Sequence, residues 1–347
     1  MSLHPVLAED FADVVSTLAA DWPALRGARL FITGGTGLIG RWMLEALRLA
    51  DEAHDLGLEV AALTRDPATF AAKSPTLAAW PALRLVAGDV LTLQPDGAHY
   101  THVIHGATDA SADLNENDPL RMFDTIVAGT RNTLDFARAA GAGRVLFMSS
   151  GAVYGAQPWD VTHVDEDYRG GPDLSTHRSS YGEGKRAAEM LCAIYRRQFG
   201  LDIVTTRIFA LLGPMLALDT HFAAGNFIRD AMAGRTVTVN SDGRAVRSYL
   251  YTADLTAWMW AVLLRAPAGA TYNLGSEQAV SIGELAERAA RLLGSGQFEI
   301  LGKLDAGWNP GRYVPATHKI RQELSVVPTV DLDEAIRRTA AWNGWMR

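Results

Sequence analysis

The stretch "GGTGLIG" (residues 34–40) follows the apolar run "RLFIT" and precedes the amphipathic run "RWMLEALRLA". A strand, a glycine-rich turn and a helix in this order let main-chain N–H groups and the helix N-terminus approach a diphosphate. The spacing therefore predicts a dinucleotide-binding loop after the first strand. The predicted contacts in this loop are Gly34, Thr36, Gly37, Leu38, Ile39 and Gly40.

Short apolar strands and helices continue to alternate downstream of this loop. The pattern predicts an α/β fold, a Rossmann-type doubly wound parallel sheet with a smaller C-terminal substrate-binding domain. The predicted strands cover residues 59–64, 83–90, 102–107, 144–150 and 202–209, and the main predicted helices cover 124–140 and 181–199.

The domain boundaries follow from where this alternation starts, breaks and resumes. Asp242-Gly243 also predicts the turn of a hairpin within residues 236–251, in the second domain. We expect an N-terminal helical extension over 1–27, a dinucleotide-binding domain over 28–210 plus 247–275, and a substrate-binding domain over 211–246 plus 276–347.

Composition narrows the class of partner. The chain has 347 residues, is 48% hydrophobic and carries a net charge of -7 without a basic stripe, which argues against nucleic-acid and anionic-membrane surfaces. A single cysteine, Cys192, excludes a disulfide framework or a cysteine metal cluster within one chain. No apolar run reaches about 18 residues and no basic-then-apolar N-terminus occurs, so we expect a cytoplasmic protein that acts on small molecules.

The end of the second predicted strand bears on the choice of cofactor. An acidic residue there typically binds the adenosine ribose of NAD, but this sequence has Thr64 followed by Arg65. A guanidinium matches a 2′-phosphate in charge and geometry, so the pattern favours NADP over NAD. Two alternatives stay open: Arg65 could pair with Asp66, or Asp66 could itself reach the ribose. Asp89, followed by Val90, is a candidate contact to the adenine or a turn cap.

Tyr181 and Lys185 lie four residues apart on a predicted helix, so both project from one face. An ammonium and an oxidised nicotinamide near a phenol favour the phenolate, which could then exchange a proton with a sugar hydroxyl. Ser150 ends the preceding predicted strand, at the sheet edge where ligands bind in such folds. Its hydroxyl could hold the reacting oxygen.

Together, "TGGTGLIG", "SSGAVYG", "YGEGK" and "RSYLYTADL" resemble the extended short-chain dehydrogenase/reductases, in particular the nucleotide-sugar epimerase and dehydratase group. The resemblance implies that Ser150, Tyr181 and Lys185 are catalytic and that Tyr181 and Lys185 also contact the cofactor. It further implies a nucleoside-diphosphate sugar as substrate and a homodimer formed through two helices. The remaining implied contacts are Ala107, Thr108 and Ile208 for the cofactor, and Ser111, Ser150, Asn226, Arg247 and Arg312 for the substrate.

The two residues after Ser150 separate reaction types within this group. Dehydratases of the group carry Asp-Glu there and decarboxylases keep a glutamate, whereas this sequence has Gly151 and Ala152, which cannot exchange a proton. We therefore expect an epimerase acting at a sugar carbon, with C4 as the first candidate. An NADPH-dependent reductase of 4-keto-6-deoxy sugars is the alternative, and a nucleotide-binding regulatory protein without turnover is a further one.

Overall fold

The computed structural model describes residues 3–108, 111–219, 223–294, 296–303 and 311–346. The strands, in chain order, are β1 (Arg29–Thr33), β2 (Glu59–Thr64), β3 (Leu83–Ala87), β4 (His102–His105), β5 (Arg144–Ser150), β6 (Ile203–Ile208), β7 (Leu211–Leu212), β8 (Val237–Val239), β9 (Val246–Arg247), β10 (Leu250–Tyr251), β11 (Thr271–Leu274), β12 (Val280–Ser281), β13 (Phe298–Ile300) and β14 (Arg312–Tyr313).

α-Helices follow each of the first five strands except β3, which a short 3₁₀ turn joins to β4. None of them, within the described residues, is long and apolar enough to cross a membrane. In chain order they are α1 (Pro5–Thr17), α2 (Leu38–His54), α3 (Pro67–Lys73), α4 (Pro75–Ala78), α5 (Ala112–Asn117), α6 (Pro119–Ala139), α7 (Ser180–Phe199), α8 (Ala223–Met232), α9 (Thr252–Arg265), α10 (Ile282–Leu293), α11 (His318–Leu324) and α12 (Leu332–Trp342).

Seven strands form the central sheet in the order β11-β6-β5-β4-β1-β2-β3, and every pairing in it is parallel. The strand order reverses between β1 and β4, which is the position where open α/β sheets bind ligands. The prediction of a Rossmann-type doubly wound sheet is confirmed. Because the strands are parallel, β1, β2, β4, β5 and β6 all present their carboxyl ends at one edge.

Helices cover both faces of the sheet. On one face, α2 and α9 pack with α1, and nearly every α9 residue is buried, including Trp258 and Trp260. On the other face, α6 packs along α7 over a second apolar cluster that includes Cys192. The sheet is therefore apolar on both sides, as buried parallel strands require.

The N-terminal helix packs against the body of the protein. In α1, Leu7, Phe11 and Val14 are buried, and the Phe11 ring lies 4.7 Å from that of Trp42 in α2. Asp10 is also buried: its carboxylate accepts a hydrogen bond of 2.6 Å from the Tyr251 hydroxyl and pairs with Arg338 in α12. The segment thus joins β10 and the last helix.

The predicted hairpin over residues 236–251 is wrong. Gly243 does have a positive φ of 76°, as expected for a turn. However, β8 pairs in parallel with β13, whereas β9 pairs antiparallel with β12 and in parallel with β14. The two arms of the expected hairpin therefore belong to different small sheets, because each finds its partner strand in the C-terminal part of the chain.

Candidate functional site

The glycine loop after β1 is packed as tightly as the sequence pattern predicts. Gly34 has a φ of 75°, and a Cβ on it would lie 2.4 Å from the backbone of Gly106 after β4. A Cβ on Gly40 would lie 2.2 Å from the Gly34 carbonyl oxygen. Only glycine permits these approaches, so the loop lies directly against the ends of β1 and β4.

Gly37, by contrast, has room for a Cβ at ordinary van der Waals contact. It is the N-cap of α2, and the nearest atom to a Cβ built on it is 3.5 Å away. Among the described residues, no side chain caps this helix, so the N–H groups of its first turn, which begins with Leu38 and Ile39, are available to a ligand. A helix N-terminus of this kind suits a diphosphate. Thr36 is half-buried in the same loop.

The end of β2 has an exposed cation and a carboxylate already in use. Thr64 is buried and Arg65 is exposed, and no hydrogen bond or ion pair of the Arg65 side chain is found within the described residues. Asp66 caps α3, since its carboxylate accepts bonds from the Thr69 backbone N–H (2.9 Å) and hydroxyl (2.6 Å). Because the Asp66 carboxylate already caps α3, an ion pair with Arg65 and a contact of Asp66 to the ribose are both less favoured.

Asp89 and Val90, after β3, form a turn against α6. The Asp89 carboxylate accepts a hydrogen bond of 2.9 Å from the backbone N–H of Leu91 and so caps a short 3₁₀ turn. Val90 is buried, and a Cβ on Gly129 of α6 would lie 2.9 Å from it. Asp89 therefore caps a turn, as one of the two alternatives predicted, and a contact to the adenine is compatible with this role.

Ser150 and Tyr181 meet at the carboxyl edge of the sheet. Ser150 is the last residue of β5, and its hydroxyl lies close enough to Tyr181 to act against the rise in the pKa of the phenol. Tyr181 lies in the first turn of α7, where its backbone N–H donates to the Asn115 side chain of α5 over 3.1 Å. Ser149 points elsewhere and donates to Glu189 over 2.5 Å.

Lys185 fastens α7 to the ends of β4 and β5. Its side chain is only 4% exposed, and its ammonium donates to the Met148 carbonyl oxygen over 2.8 Å and to the Thr108 hydroxyl over 3.0 Å. Ala107, beside Thr108, donates its N–H to the Thr33 hydroxyl at the end of β1 over 3.3 Å. These contacts bring Lys185, Thr108 and Ala107 together near the glycine loop, while Ile208 ends β6 on the far side of Ser150.

The pKa values of Lys185 and Tyr181 move in opposite directions, for the same reason. Burial lowers the pKa of Lys185 to about 8, while the nearby Glu189 carboxylate acts in the opposite direction. Burial raises the pKa of Tyr181, and the hydrogen bond with Ser150 only partly offsets this effect. With this chain's own residues alone, the phenol therefore stays protonated at neutral pH, and the expected phenolate depends on the positive charge of an oxidised nicotinamide.

The predicted substrate contacts do not all converge. Ser111 caps α5 by accepting from the Leu114 N–H over 3.3 Å, and Asn226 is half-buried in α8. Arg247 in β9 is paired across the sheet with Tyr313, whereas Arg312 is paired with Val246. Side chains alternate along a strand, so Arg247 and Arg312 lie on opposite faces of the small sheet.

Arg312 instead lies over the Trp159 ring, 4.8 Å from its centroid. Its Nε is buried without a hydrogen-bonding partner within the described part of the chain. Arg247 keeps its guanidinium near the backbone, donating to the Val246 carbonyl oxygen over 2.9 Å. Of the two arginines, Arg247 lies on the face that also carries Tyr313.

Sequence reasoning missed two residues next to the triad. Tyr313 places its hydroxyl oxygen 2.6 Å from where a Gly151 Cβ would be, directly beside the turn that follows Ser150. Glu189, one turn after Lys185, accepts bonds from Ser149 and from Arg207, the latter over 2.7 Å. The four-residue spacing from Lys185 could have indicated Glu189. Nothing in the local sequence indicated Tyr313.

These features define a class. A family model for the NAD dependent epimerase/dehydratase family matches residues 30–275, and the chain belongs to this family. Among curated proteins, the chain is 30% identical over 314 residues to UDP-glucuronic acid decarboxylase 1 of Xenopus tropicalis, and this match covers 90% of the chain and 71% of the relative.

Solved structures of the family are similar over the same length. A dTDP-glucose 4,6-dehydratase from Streptomyces venezuelae with NAD and TYD bound is 27% identical, with a TM-score of 0.77 over 91% of this chain and 97% of that one. A UDP-glucose 4-epimerase from Thermus thermophilus in complex with NAD is 25% identical, with a TM-score of 0.75 over 92% and 100%. The chain is thus similar to NAD-dependent enzymes that modify nucleotide sugars, although these relatives carry out different reactions.

Proposed function

We propose that the protein catalyses NAD(P)-dependent redox chemistry at a sugar carbon of a nucleoside-diphosphate sugar, at C4, and that it is an epimerase. The observation that carries the proposal is the meeting of Ser150, Tyr181 and Lys185 beside a glycine loop in which Gly34 and Gly40 leave no room for a Cβ. A nicotinamide, when bound, supplies a hydride acceptor and, in its oxidised form, a positive charge.

The proposed roles of the residues follow from their contacts. Tyr181 exchanges a proton with the sugar hydroxyl, and Ser150 holds the same oxygen in line through its own hydroxyl. Lys185 is held by Met148 and Thr108 one helical turn from Tyr181, where its ammonium can bind ribose hydroxyls and favour the phenolate. The first turn of α2 and the space beside Gly37 would bind the diphosphate of the cofactor.

The turn after β5 supports epimerisation over loss of water or carbon dioxide. Those eliminations need a carboxylate to move a proton, and position 151 is a glycine where a Cβ would lie 2.6 Å from the Phe209 ring and the Tyr313 hydroxyl, so a side chain fits there only if these two groups move. Ala152 has no titratable group. Relatives such as the Xenopus protein are named as decarboxylases, which favours loss of carbon dioxide. The experiment below therefore includes substrates for decarboxylation and dehydration.

One experiment separates all four reactions. The protein is incubated with NAD or NADPH and with UDP-glucose, UDP-glucuronic acid, dTDP-glucose or a dTDP-4-keto-6-deoxy sugar, and the nucleotide sugar is analysed by mass spectrometry with chromatography. Epimerisation leaves the mass unchanged and yields a second isomer. Loss of water indicates a dehydratase, loss of carbon dioxide a decarboxylase, and gain of two hydrogens a reductase; any of these three would contradict the proposal.

We also propose a preference for NADP over NAD. The support is a pair of guanidiniums without carboxylate partners within the described residues: Arg65 after β2, and Arg41, whose Nε is buried without a hydrogen bond. Arg41 shares a face of α2 with Glu45, which accepts from Thr76 of α4 over 2.7 Å, so this face is turned towards the segment that follows β2. A 2′-phosphate would bind there.

The reductase alternative depends on this preference, since a reductase consumes a diffusible NADPH. An epimerase regenerates its cofactor within each turnover and can keep it bound. Nicotinamide that survives desalting of the purified protein would support the epimerase. Cofactor that always washes out, with stoichiometric NADPH consumption, would support the reductase.

We assign nucleotide-sugar binding to residues 211–246 plus 276–347 and propose that the protein pairs into a homodimer through α6 and α7. Four large apolar side chains on these helices are exposed: Leu120 (69%), Met190 (61%), Ile194 (41%) and Phe199 (39%). Exposed apolar side chains on two neighbouring helices favour pairing with a second copy of the same surface. Light scattering should give a dimer for the wild type and a monomer for Met190→Lys; a monomeric wild type would contradict this.

A further inference from the structure

The first turn of α7, which carries Tyr181, is capped by a side chain from another helix. The N–H groups at the start of a helix have no partner within it, and the residue before the helix usually accepts one of them through its side chain. Ser179 holds that place in α7 but makes no such bond, since its hydroxyl donates to the Asp173 carbonyl oxygen over 2.5 Å. The Tyr181 N–H donates instead to Asn115 Oδ1 of α5 over 3.1 Å.

Asn115 uses both halves of its amide in this contact. Its Nδ2 donates to the Arg178 carbonyl oxygen over 2.9 Å, so one side chain bridges two backbone groups three residues apart. An amide suits this arrangement because it carries a donor and an acceptor in one plane. A carboxylate would keep only the acceptor for the Tyr181 N–H, and an apolar side chain would keep neither bond.

A second contact links the same two helices at the protein surface. Arg178 pairs with Glu116 through bonds of 3.0 and 3.1 Å, but their side chains are 70% and 47% exposed. Exposed ion pairs contribute little to stability, because water and salt screen both charges. The bond from the Tyr181 N–H to Asn115 is partly buried and is therefore the stronger restraint of the two.

Packing fixes the next residue of the same turn. A Cβ on Gly182 would lie 2.7 Å from Pro172 and 2.8 Å from the Ala152 carbonyl oxygen, so the backbone of α7 lies directly against the turn after β5. This contact holds position 182, and the Asn115 bond holds Tyr181 itself.

We propose that Asn115 is a positioning residue: by capping α7 from α5, its amide sets the place of Tyr181 relative to Ser150 and the reacting sugar oxygen. The chain that leads from β4 into α5 also includes Thr108, which accepts from the Lys185 ammonium over 3.0 Å. This inference rests on the proposed function, since the place of Tyr181 affects a rate only if its phenol exchanges a proton with a sugar. The role of Asn115 involves no covalent step.

The first test needs no substrate. Hydrogen exchange of the backbone amides in residues 180–185 is followed by mass spectrometry in the full chain, in Asn115→Leu and in Asn115→Asp. Leucine has the same branched shape but no acceptor, so exchange in this segment should become about fivefold faster, as expected for the loss of a helix cap. Aspartate keeps the acceptor and should match the wild type.

Asn117→Leu is the matched control for this measurement. Asn117 lies on the same helix, but its amide donates to Asp113 of α5 itself over 2.7 Å, so its loss should leave exchange in residues 180–185 unchanged. Wild-type exchange in Asn115→Leu, or equally fast exchange in Asn115→Leu and Asn117→Leu, would overturn the inference.

The second test uses UDP-glucose as the probe and follows reduction of the bound cofactor in single turnovers. We expect Asn115→Leu to transfer hydride about tenfold more slowly at saturating sugar, because a small displacement of a reacting group is costly, while KM and dinucleotide affinity change by about twofold at most. Asn115→Asp should recover most of the rate, and Asn117→Leu should match the wild type.

Two kinetic results would overturn the inference: a wild-type rate in Asn115→Leu, or a rate in Asn115→Asp as low as that in Asn115→Leu. A wild type that transfers no hydride from any nucleotide sugar contradicts the proposed function instead. The hydrogen-exchange measurement then still decides whether Asn115 caps α7.

Discussion

The two sides of the candidate site are assembled in different ways. On the side proposed to bind the cofactor, Gly34, Gly37 and Gly40 come from one short stretch, and the helix that follows is continuous with it. On the side proposed to bind the sugar, Gly151, Phe209 and Tyr313 come from three distant segments, and the two aromatic side chains reach within 2.6 Å of the position of a Gly151 Cβ. Both sides use a glycine for close approach. Only the first is visible as a spacing in the sequence, because it depends on local backbone geometry.

The comparison also separates what each side can tolerate. In the glycine loop, Gly34 and Gly40 allow backbone segments to pack against each other. This packing leaves the helix N-terminus accessible to a ligand. The turn after Ser150 excludes a side chain because two aromatic rings already fill the space. Substitutions in the glycine loop should therefore affect cofactor binding. Substitutions in the turn after Ser150 should affect packing and proton transfer.

The largest expected effect is on the rate of hydride transfer between the sugar and the cofactor. Tyr181→Phe keeps the ring and removes the phenolic hydroxyl that we propose exchanges a proton with the sugar. We expect hydride transfer from a nucleotide sugar to fall about 10³-fold, with dinucleotide affinity preserved. Single-turnover nicotinamide absorbance and calorimetry measure the two quantities. Equal and absent turnover in both the wild type and the variant, with binding intact, would favour a nucleotide-binding protein without catalysis.

Next in size is a contrast within the glycine loop. Gly40→Ala should lower the free energy of unfolding by about 3 kcal/mol or more, since its Cβ would meet backbone at 2.2 Å. Gly37→Ala, with nothing nearer than 3.5 Å, should leave stability within about 1 kcal/mol yet weaken dinucleotide binding about tenfold or more. Urea unfolding and calorimetry distinguish the two. If Gly40→Ala and Gly37→Ala lowered the free energy of unfolding equally, Gly40 would not differ from Gly37 in its role in packing.

The cofactor side should also be sensitive to acid through His105. The ring is buried between the Thr33 and Thr130 hydroxyls at 2.7 and 2.9 Å, and burial lowers its pKa to about 3. Between about pH 6.5 and 3 the unfolded chain binds a proton that the folded chain does not, so stability falls as pH falls, by about 3 kcal/mol from pH 6.5 to 4. His105→Gln should lack this contribution in urea titrations. An identical pH dependence in both proteins would contradict it.

A smaller effect is expected on the sugar side. Gly151→Ala should lower the free energy of unfolding by about 2 kcal/mol, because the methyl group must displace the Phe209 ring and the Tyr313 hydroxyl. Gly143→Ala is the control, since its nearest atom is 3.4 Å away. A Gly151→Ala protein as stable as this control would mean that the aromatic closure yields easily and that an acidic side chain could be accommodated after all.

The smallest expected change concerns Arg65. Arg65→Ala should weaken NADP binding about fivefold to tenfold and leave NAD binding unaltered, because the exposed guanidinium would contact only the 2′-phosphate. Calorimetry with the two dinucleotides measures this. Parallel losses for both would assign Arg65 to another part of the nucleotide, and no loss for either would remove it from the site.

The sheet and the meeting of Ser150 with Tyr181 could be predicted because each depends on local signals: apolar strands, strand ends and a four-residue helical spacing. The pairing of β8 and β9 could not, since a turn at Gly243 does not determine which strand completes each ladder. Tyr313 was missed for the same reason, because its register against β9 is set by tertiary packing. The raised pKa of Tyr181 depends on burial, which no spacing reports.

The salt-bridged carboxylate of the first helix has a practical consequence for recombinant work. Asp10 neutralises Arg338 and receives the Tyr251 hydroxyl. A truncated protein starting at β1 would leave that arginine with only Glu334 of its own helix as a partner and would expose the apolar surface of α2 and α9 to water. Such a fragment should aggregate on expression, even though every residue of the proposed triad and glycine loop would still be in it.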